Sequence, residues 1–447
     1  MTTHVTFKQF VGAIGACAAC LERDPLRHLP GRMRVTRAAD ALVLATSTRT
    51  DKVKMAFRIP CDPGDSWVAV VDADGTSRLA RALRPLAGAK KNGCAMIDLE
   101  RGERSLVLAG DGQRIVVPAC DPVPDDALPA ACETIALLGA GDLLTRLAQA
   151  MTFCNPVGYQ PIAKGPFVHL AATDGGLAVT TVVATDGHRL FVDGDARDCG
   201  KATHVFQVPG DQWKAVAKAT DGSFEAGRLV RTSIPRSSDE ETRDQPTKYS
   251  TRIVLESADR RVELAVDEPE TQLPHWAGFV PREMGDPDLS VICSRAALAA
   301  AVKSAIGVAR LRNSACMLRG RAEQGLLCLC AQTDFDGGIV QREIPAEVQH
   351  APSGYVHLNG RYLLDALAAT RTESVRLFQH SAPLDPIRIA EVVPAGAELR
   401  ARGMVVMPIR GHDPVEADAV EPEVTENSAP AAEPTAPPLA AVPTVAA

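Results

Sequence analysis

One order of elements runs three times through the first 410 residues of this chain, and that internal repeat limits what it can fold into more than any other feature. Each copy opens with an Ala-rich segment of helical period, at 6–21, 142–153 and 294–310. Strand readings follow at 42–46, 177–184 and 326–331, where apolar residues alternate or run on after a turn. Short extended segments at 67–71, 204–208 and 354–358 then introduce a second helix, at 75–86, 211–220 and 359–370. Matched positions are evenly spaced: 29 residues from Leu42 to Val71, 28 from Thr180 to Val208 and 31 from Leu327 to Leu358. Further strands close each copy, at 95–118, 251–266 and 374–391, the last continuing at 404–409. The pattern predicts an α+β chain of three similarly built units, each with two helices and about eight strands. They span 1–130, 131–287 and 288–410, with boundaries near Ala130 and Pro287. Three unrelated α+β domains are the competing reading, and the shared order of elements argues against it. The polar stretch 231–249 reads as a loop inserted in the middle unit.

Composition refines this picture. Aromatic residues make up only 4% of the chain against 46% hydrophobic, so the cores must be built from Ala, Val and Leu. Most of the twelve cysteines sit singly in apolar runs, as at Cys154, Cys328 and Cys330, and read as reduced, buried hydrophobes of a cytosolic protein. Cys17 and Cys20 form a lone CxxC with no second pair, a weak zinc signature. No run approaches the ~20 apolar residues that span a bilayer, and the apolar stretch 10–21 has the period of a core helix rather than of a secretory leader. A soluble, cytoplasmic protein without membrane contact is expected. All seven acidic residues of 411–447 lie in a Pro- and Ala-rich segment without Lys or Arg. They account for the whole net charge of −7, and residues 1–410 are formally neutral. Such a segment cannot bury enough apolar area to offset its ordering entropy, so 411–447 is expected to be a disordered acidic tail.

Enzyme signatures are absent: there is no GxxxxGK[ST], HExxH or GxSxG, and neither a cofactor nor a metal site is expected. Gly139-Ala140-Gly141-Asp142 precedes a helix without a following Lys and reads as turn and N-cap. Asp186-Gly187-His188-Arg189 follows an apolar strand and precedes Leu190-Phe191-Val192, the pattern of a tight turn. Its His and Arg frame a surface groove, while an acid–base or metal role for Asp186 and His188 is the enzymatic alternative. Basic residues recur on the predicted helices: Arg78, Arg81 and Arg84 at i, i+3 and i+6, Lys214 and Lys218 at i, i+4, and Lys303, Arg361 and Arg371 in the third copy. Solvated helix faces often look like this. Helices sharing one space would make that space positive and suited to a phosphate backbone, without reading bases.

Four segments resemble the bacterial sliding clamp, the beta subunit of DNA polymerase III. Ala184-Thr185-Asp186-Gly187-His188-Arg189-Leu190 is similar to that family's signature, and Met404-Val405-Val406-Met407-Pro408-Ile409-Arg410 to its C-terminal motif. Leu273-Pro274-His275-Trp276 through Pro281 resembles a middle-domain segment, and NGRYLLDAL from Asn359 to Leu367 resembles the second helix of the third domain. The resemblance covers about residues 5–410. It implies three DNA-clamp domains with helices lining a ring and antiparallel sheets outside, closed by a head-to-tail homodimer. It further implies a non-catalytic processivity factor that encircles double-stranded DNA without sequence preference, works with a DNA polymerase and a clamp loader, and needs no cofactor. Arg78, Arg81, Arg84, Lys214, Lys218 and Lys303 would then face the DNA backbone. A partner groove between the second and third domains would take a short extended peptide with Gln, Leu and Phe anchors. Its residues would be Thr185, Gly187, His188, Arg189 and Leu190, then Pro274 and Phe279, then Val405, Met407, Pro408 and Ile409. The usual Tyr-rich segment ahead of the groove reads here Gln160-Pro161-Ile162-Ala163-Lys164, and Gly278 replaces a basic residue. A clamp-fold paralogue acting as regulator or decoy is the alternative within the same fold.

Overall fold

A computed structural model describes residues 2–408 apart from 22–31, 48–52, 90–95, 111–112, 120–131, 139, 174–175, 195–201, 220–223, 225, 234–248, 268–288, 309–314, 322–324, 333–338, 351–354, 380–384 and 394–401. The first copy contains β1 (Thr2–Thr6), α1 (Phe7–Leu21), β2 (Arg32–Arg37), β3 (Ala41–Ser47), β4 (Val53–Pro60), β5 (Trp67–Asp72), α2 (Ala73–Ala89), β6 (Met96–Arg101), β7 (Ser105–Gly110) and β8 (Gln113–Pro118). The second contains β9 (Cys132–Leu138), α3 (Ala140–Ala150), β10 (Phe167–Thr173), β11 (Gly176–Thr185), β12 (Arg189–Asp193), β13 (Ala202–Gln207), α4 (Gly210–Ala219), β14 (Ala226–Ser233), β15 (Tyr249–Glu256) and β16 (Arg260–Val266). The third contains β17 (Leu289–Ser294), α5 (Arg295–Val308), β18 (Ala315–Arg321), β19 (Leu326–Gln332), β20 (Ile339–His350), β21 (Val356–Asn359), α6 (Gly360–Ala369), β22 (Ser374–Gln379), β23 (Ile387–Glu391) and β24 (Arg402–Val406). The fold class is mixed α+β with far more strand than helix, and the described residues all belong to one compact unit.

Three expectations need correction. Each copy begins with a strand (β1, β9, β17) ahead of its first helix, which local periodicity did not reveal because these short strands find their partners far along the chain. The expected loop at 231–249 is strand at both ends, in β14 and β15. Asp142 is no N-cap: it lies inside the first turn of α3, where it pairs with Arg146 at 3.6 Å. The expected boundaries near Ala130 and Pro287, and the tail 411–447, lie outside the described residues.

The strands form antiparallel sheets of four (β1-β6-β7-β8), eight (β5-β2-β3-β4-β16-β15-β14-β9) and twelve (β13-β10-β11-β12-β24-β23-β22-β17-β20-β19-β18-β21). Two joints therefore carry a sheet from one copy into the next. At the first, β4 pairs with β16 with Val53 opposite Leu264 and Phe57 opposite Arg260. At the second, β12 pairs with β24 with Arg189 opposite Val406 and Asp193 opposite Arg402.

The helices cover the sheets' buried faces. In α1 the residues Ala16 to Leu21 are buried all round, since this helix packs against both α2 and α4, and only small side chains permit so close an approach. α2 starts where the Asp72 carboxylate accepts the Gly75 amide at 2.6 Å, and α6 where Asn359 accepts that of Arg361 at 3.0 Å. Cys17, Cys20, Cys154, Cys293, Cys316, Cys328 and Cys330 are buried, and Cys61 is partly exposed.

One buried group makes stability depend on pH. His169 lies in β10 at a bulge, and burial lowers its pKa from 6.5 to about 4. The unfolded chain takes up this proton near 6.5 and the folded chain only near 4. The contribution is therefore whole above pH 6.5 and is lost as pH falls through that window, by up to about 3 kcal/mol. Urea unfolding at about pH 7 and about pH 4.5 should show a shallower loss in His169→Gln than in the parent chain. Equal losses would remove His169 as the cause.

Candidate functional site

Between β11 and β12 the chain reverses through Asp186-Gly187-His188, and local chemistry dictates the shape. Thr185 Oγ1 donates to the Arg189 carbonyl at 2.7 Å and accepts the Gly187 amide at 3.0 Å. Asp186 Oδ1 accepts the amides of His188 (3.0 Å) and Arg189 (3.1 Å), and its Oδ2 accepts Arg189 Nε at 2.9 Å. Gly187 has φ +89°, a conformation that side chains other than glycine's rarely tolerate. Both Asp186 oxygens are thus engaged in building the turn.

The turn sits on the second joint. Leu190 lies opposite Val405, both buried, and the Met407 amide donates to the His188 carbonyl at 2.9 Å. Pro408 bridges to Leu358, tying the end of β24 to β21. His188 is exposed and stacks on Tyr362 of α6, with centroids 6.1 Å apart and planes 18° apart. Met407 is 36% exposed, an adjustable thioether beside the buried pair of Leu190 and Val405. Pro274, Phe279 and Ile409 lie outside the described residues.

Arg189 differs from the expected surface residue. Its guanidinium is buried, donates to Thr152 O at 2.6 Å, pairs with Asp186 and Asp365, and lies 4.5 Å from the Tyr362 ring centroid and 5.3 Å from that of Phe153. With its charge absorbed, Arg189 braces the turn against α6 and is not offered to a ligand. Cys154, just behind, has its thiol pushed up to about 12 by burial, which leaves it protonated and poorly nucleophilic.

At its other end β12 enters a second charge cluster. Asp193 pairs with Arg402 of β24 (Nε at 3.1 Å), and Arg402 also donates to the Ala369 carbonyl at the end of α6 at 2.7 Å. Arg146 of α3 donates to the Asp193 carbonyl at 2.6 Å and reaches the carbonyls of Val179 and Thr180. Phe191 lies between the two ends, 5.3 Å from Phe153 and 5.5 Å from the Arg402 guanidinium.

Two exposed apolar residues escaped the sequence reading. Val157 and Tyr159 are fully exposed on a turn held by Asn155 N to Ala163 O (2.7 Å) and Gly158 N to Asn155 O (2.9 Å). The adjacent Gln160 side chain reaches the Gly187 turn. Fully exposed apolar side chains on a braced turn are a signal only exposure can supply.

Of the expected backbone-contacting residues, Arg78 and Arg81 are exposed on α2, opposite buried Leu79 and Leu83, and Lys303 is exposed on α5, opposite buried Val302 and Ala305. Arg84 lies on α2, and Lys214 and Lys218 on α4; their side chains are outside the described residues. Arg371 is not free: Glu391 accepts its amide at 2.6 Å and its guanidinium, and this pairing raises its pKa. No described helix is long and apolar enough to cross a membrane.

No protein-family model matches the sequence, and no curated protein does. Solved structures do. The DNA polymerase sliding clamp of Pseudomonas aeruginosa matches with TM-score 0.64 at 17% identity, covering 92% of this chain and 99% of its own. The DNA polymerase III beta subunit of Thermotoga maritima gives 0.68 at 14% identity, over 92% of this chain and 100% of its own. The sliding clamp of Bacillus subtilis gives 0.66 at 16% identity with the same coverage. Three copies of one plan, joined edge to edge through β4–β16 and β12–β24, thus make the fold of the DNA polymerase III beta sliding clamps.

Proposed function

We propose that this chain is a sliding clamp, a non-catalytic processivity factor in which two copies close head to tail around duplex DNA and hold partner peptides in a groove between the second and third copies, where β12 meets β24. The observation that carries the reading is a pair of matching edges. At both joints the last strand of one copy (β16, β24) pairs with the fourth strand of the preceding copy (β4, β12). By the same rule β8 of the first copy and β20 of the third are left over. Among the described residues β8 pairs only with β7, and Ile339 to Pro345 of β20 pair only with β19. Bare edges invite strand pairing, so β8 of one copy and β20 of a second complete the series.

The exposed cations of α2 and α5 suit weak contacts to phosphate, which leave the ring free to slide. The DNA polymerase and the clamp loader bind through the groove. Its floor of Leu190 and Val405 and its Met407 rim fit the apolar anchors of a short peptide. Asp186 with both oxygens in the turn, and Cys154 protonated, support a binding role over an enzymatic one.

Retention on DNA tests this directly. With its cognate clamp loader the protein should remain on circular duplex at raised salt and leave once the circle is cut. Arg78→Ala/Arg81→Ala should lower the salt slope of weak binding to linear duplex by about two and leave retention on circles intact. Equal loss from closed and cut DNA would overturn the reading.

A further inference from the structure

We propose that β12 is clamped by charge at both ends, Arg189 to Asp365 and Asp193 to Arg402, and that Asp365 and Arg402 are positioning residues that set the register of the peptide groove. The inference rests on the groove reading of the previous section. It comes from comparing the two joints row by row. At the first joint the rows on one face are Val53 with Leu264 and Met55 with Val262, both apolar, and Phe57 with Arg260, while buried Glu263 opposite Lys54 and Arg261 opposite Ala56 put charge on the other face. At the second they are Arg189 with Val406, Phe191 with Met404, and Asp193 with Arg402. The middle row is apolar in both. On that face the second joint alone carries charge at both ends.

An apolar seam resists a one-residue slip, which would turn its side chains to the wrong face, yet a slip of two residues keeps apolar against apolar. Charged ends remove that freedom. A two-residue slip would carry Arg402 off Asp193, and both groups are buried where an unpaired charge is costly. Arg189 acts likewise from the other end through α6: its guanidinium spans Asp186, Asp365 and Thr152 O, so the turn follows the helix. Register matters at this joint because the groove lies across it. Leu190 comes from one copy and Val405 from the next, and the Met407 amide reaches the His188 carbonyl only in the observed alignment. Buried ion pairs add little net stability but single out one arrangement, which is the property a binding seam needs.

The test uses the full-length chain and a fluorescein-labelled peptide with Gln, Leu and Phe anchors. Arg402→Gln and Asp365→Asn should each weaken peptide binding about tenfold, and Arg402→Lys, which keeps the charge but not the fork, should fall between Arg402→Gln and the parent. Val262→Ala, in the apolar middle row of the first joint, supplies a loss of stability without any change in peptide affinity. Hydrogen exchange at the Met407 amide gives an independent readout: faster in Arg402→Gln and Asp365→Asn, unchanged in Val262→Ala. A parent chain that binds no peptide would sink the groove reading, and exchange at Met407 would still judge the seam. Unchanged exchange in both charge variants, or equal loss of affinity in Val262→Ala, would overturn the positioning role.

Discussion

Asp193→Ala should destabilise the protein by about 3–5 kcal/mol, the largest effect expected of any single substitution outside the apolar core. The reason lies in what is left behind. Asp193 is 1% exposed and stands between two guanidiniums, those of Arg146 and Arg402, whose side chains are 1% and 3% exposed. Removing the carboxylate strands two buried cations with too few acceptors, and neither can shed its proton. Asp142→Ala is the contrast. Asp142 also faces Arg146, at 3.6 Å, but it is 59% exposed, so its removal should cost less than about 1 kcal/mol. Denaturant unfolding of the two variants decides the matter, and a loss at Asp193 no greater than at Asp142 would show the cluster to be well hydrated.

Val116→Lys should convert the proposed head-to-tail dimer to monomers. Val116 is 57% exposed in β8, whereas Glu263, at the same distance from the preceding turn in β16, is 6% exposed because β4 covers it. If β20 of a second copy covers β8 in the same way, a lysine there opposes edge pairing, the means by which natural sheets keep their edges apart. A head-to-tail dimer contains this seam twice. At roughly 2 kcal/mol per seam the cost is about 4 kcal/mol, or roughly a thousandfold in dimerisation constant. Light scattering across a range of protein concentrations should give twice the chain mass for the parent and the chain mass for Val116→Lys. A variant that stays dimeric under dilution would rule out β8 as the joining edge.

The repeat was readable because its signals are local. Hydrophobic period separates helix from strand within a dozen residues, and Asp-Gly after an apolar strand marks a reversal wherever it occurs. All six helices could be placed to within a few residues on that basis, as could the turn at 186–188. The strands β1, β9 and β17 could not, since each is short and gains its identity from a partner strand far along the chain. Arg189 looked like a surface residue beside His188, and it points inward because Asp365, 176 positions later, receives it.

By itself, then, the sequence determined the threefold α+β plan, its low-aromatic cores and the chemistry available at the turn, all consequences of short-range periodicity and residue type. The two joints belong to the tertiary structure alone, as does the buried ion pair between Asp193 and Arg402 at the second. Asp193 and Arg402 stand 209 residues apart, and neither carries a local pattern that names its partner. Strand pairing and ion pairing at that separation depend on which surfaces meet, and only the folded chain decides that.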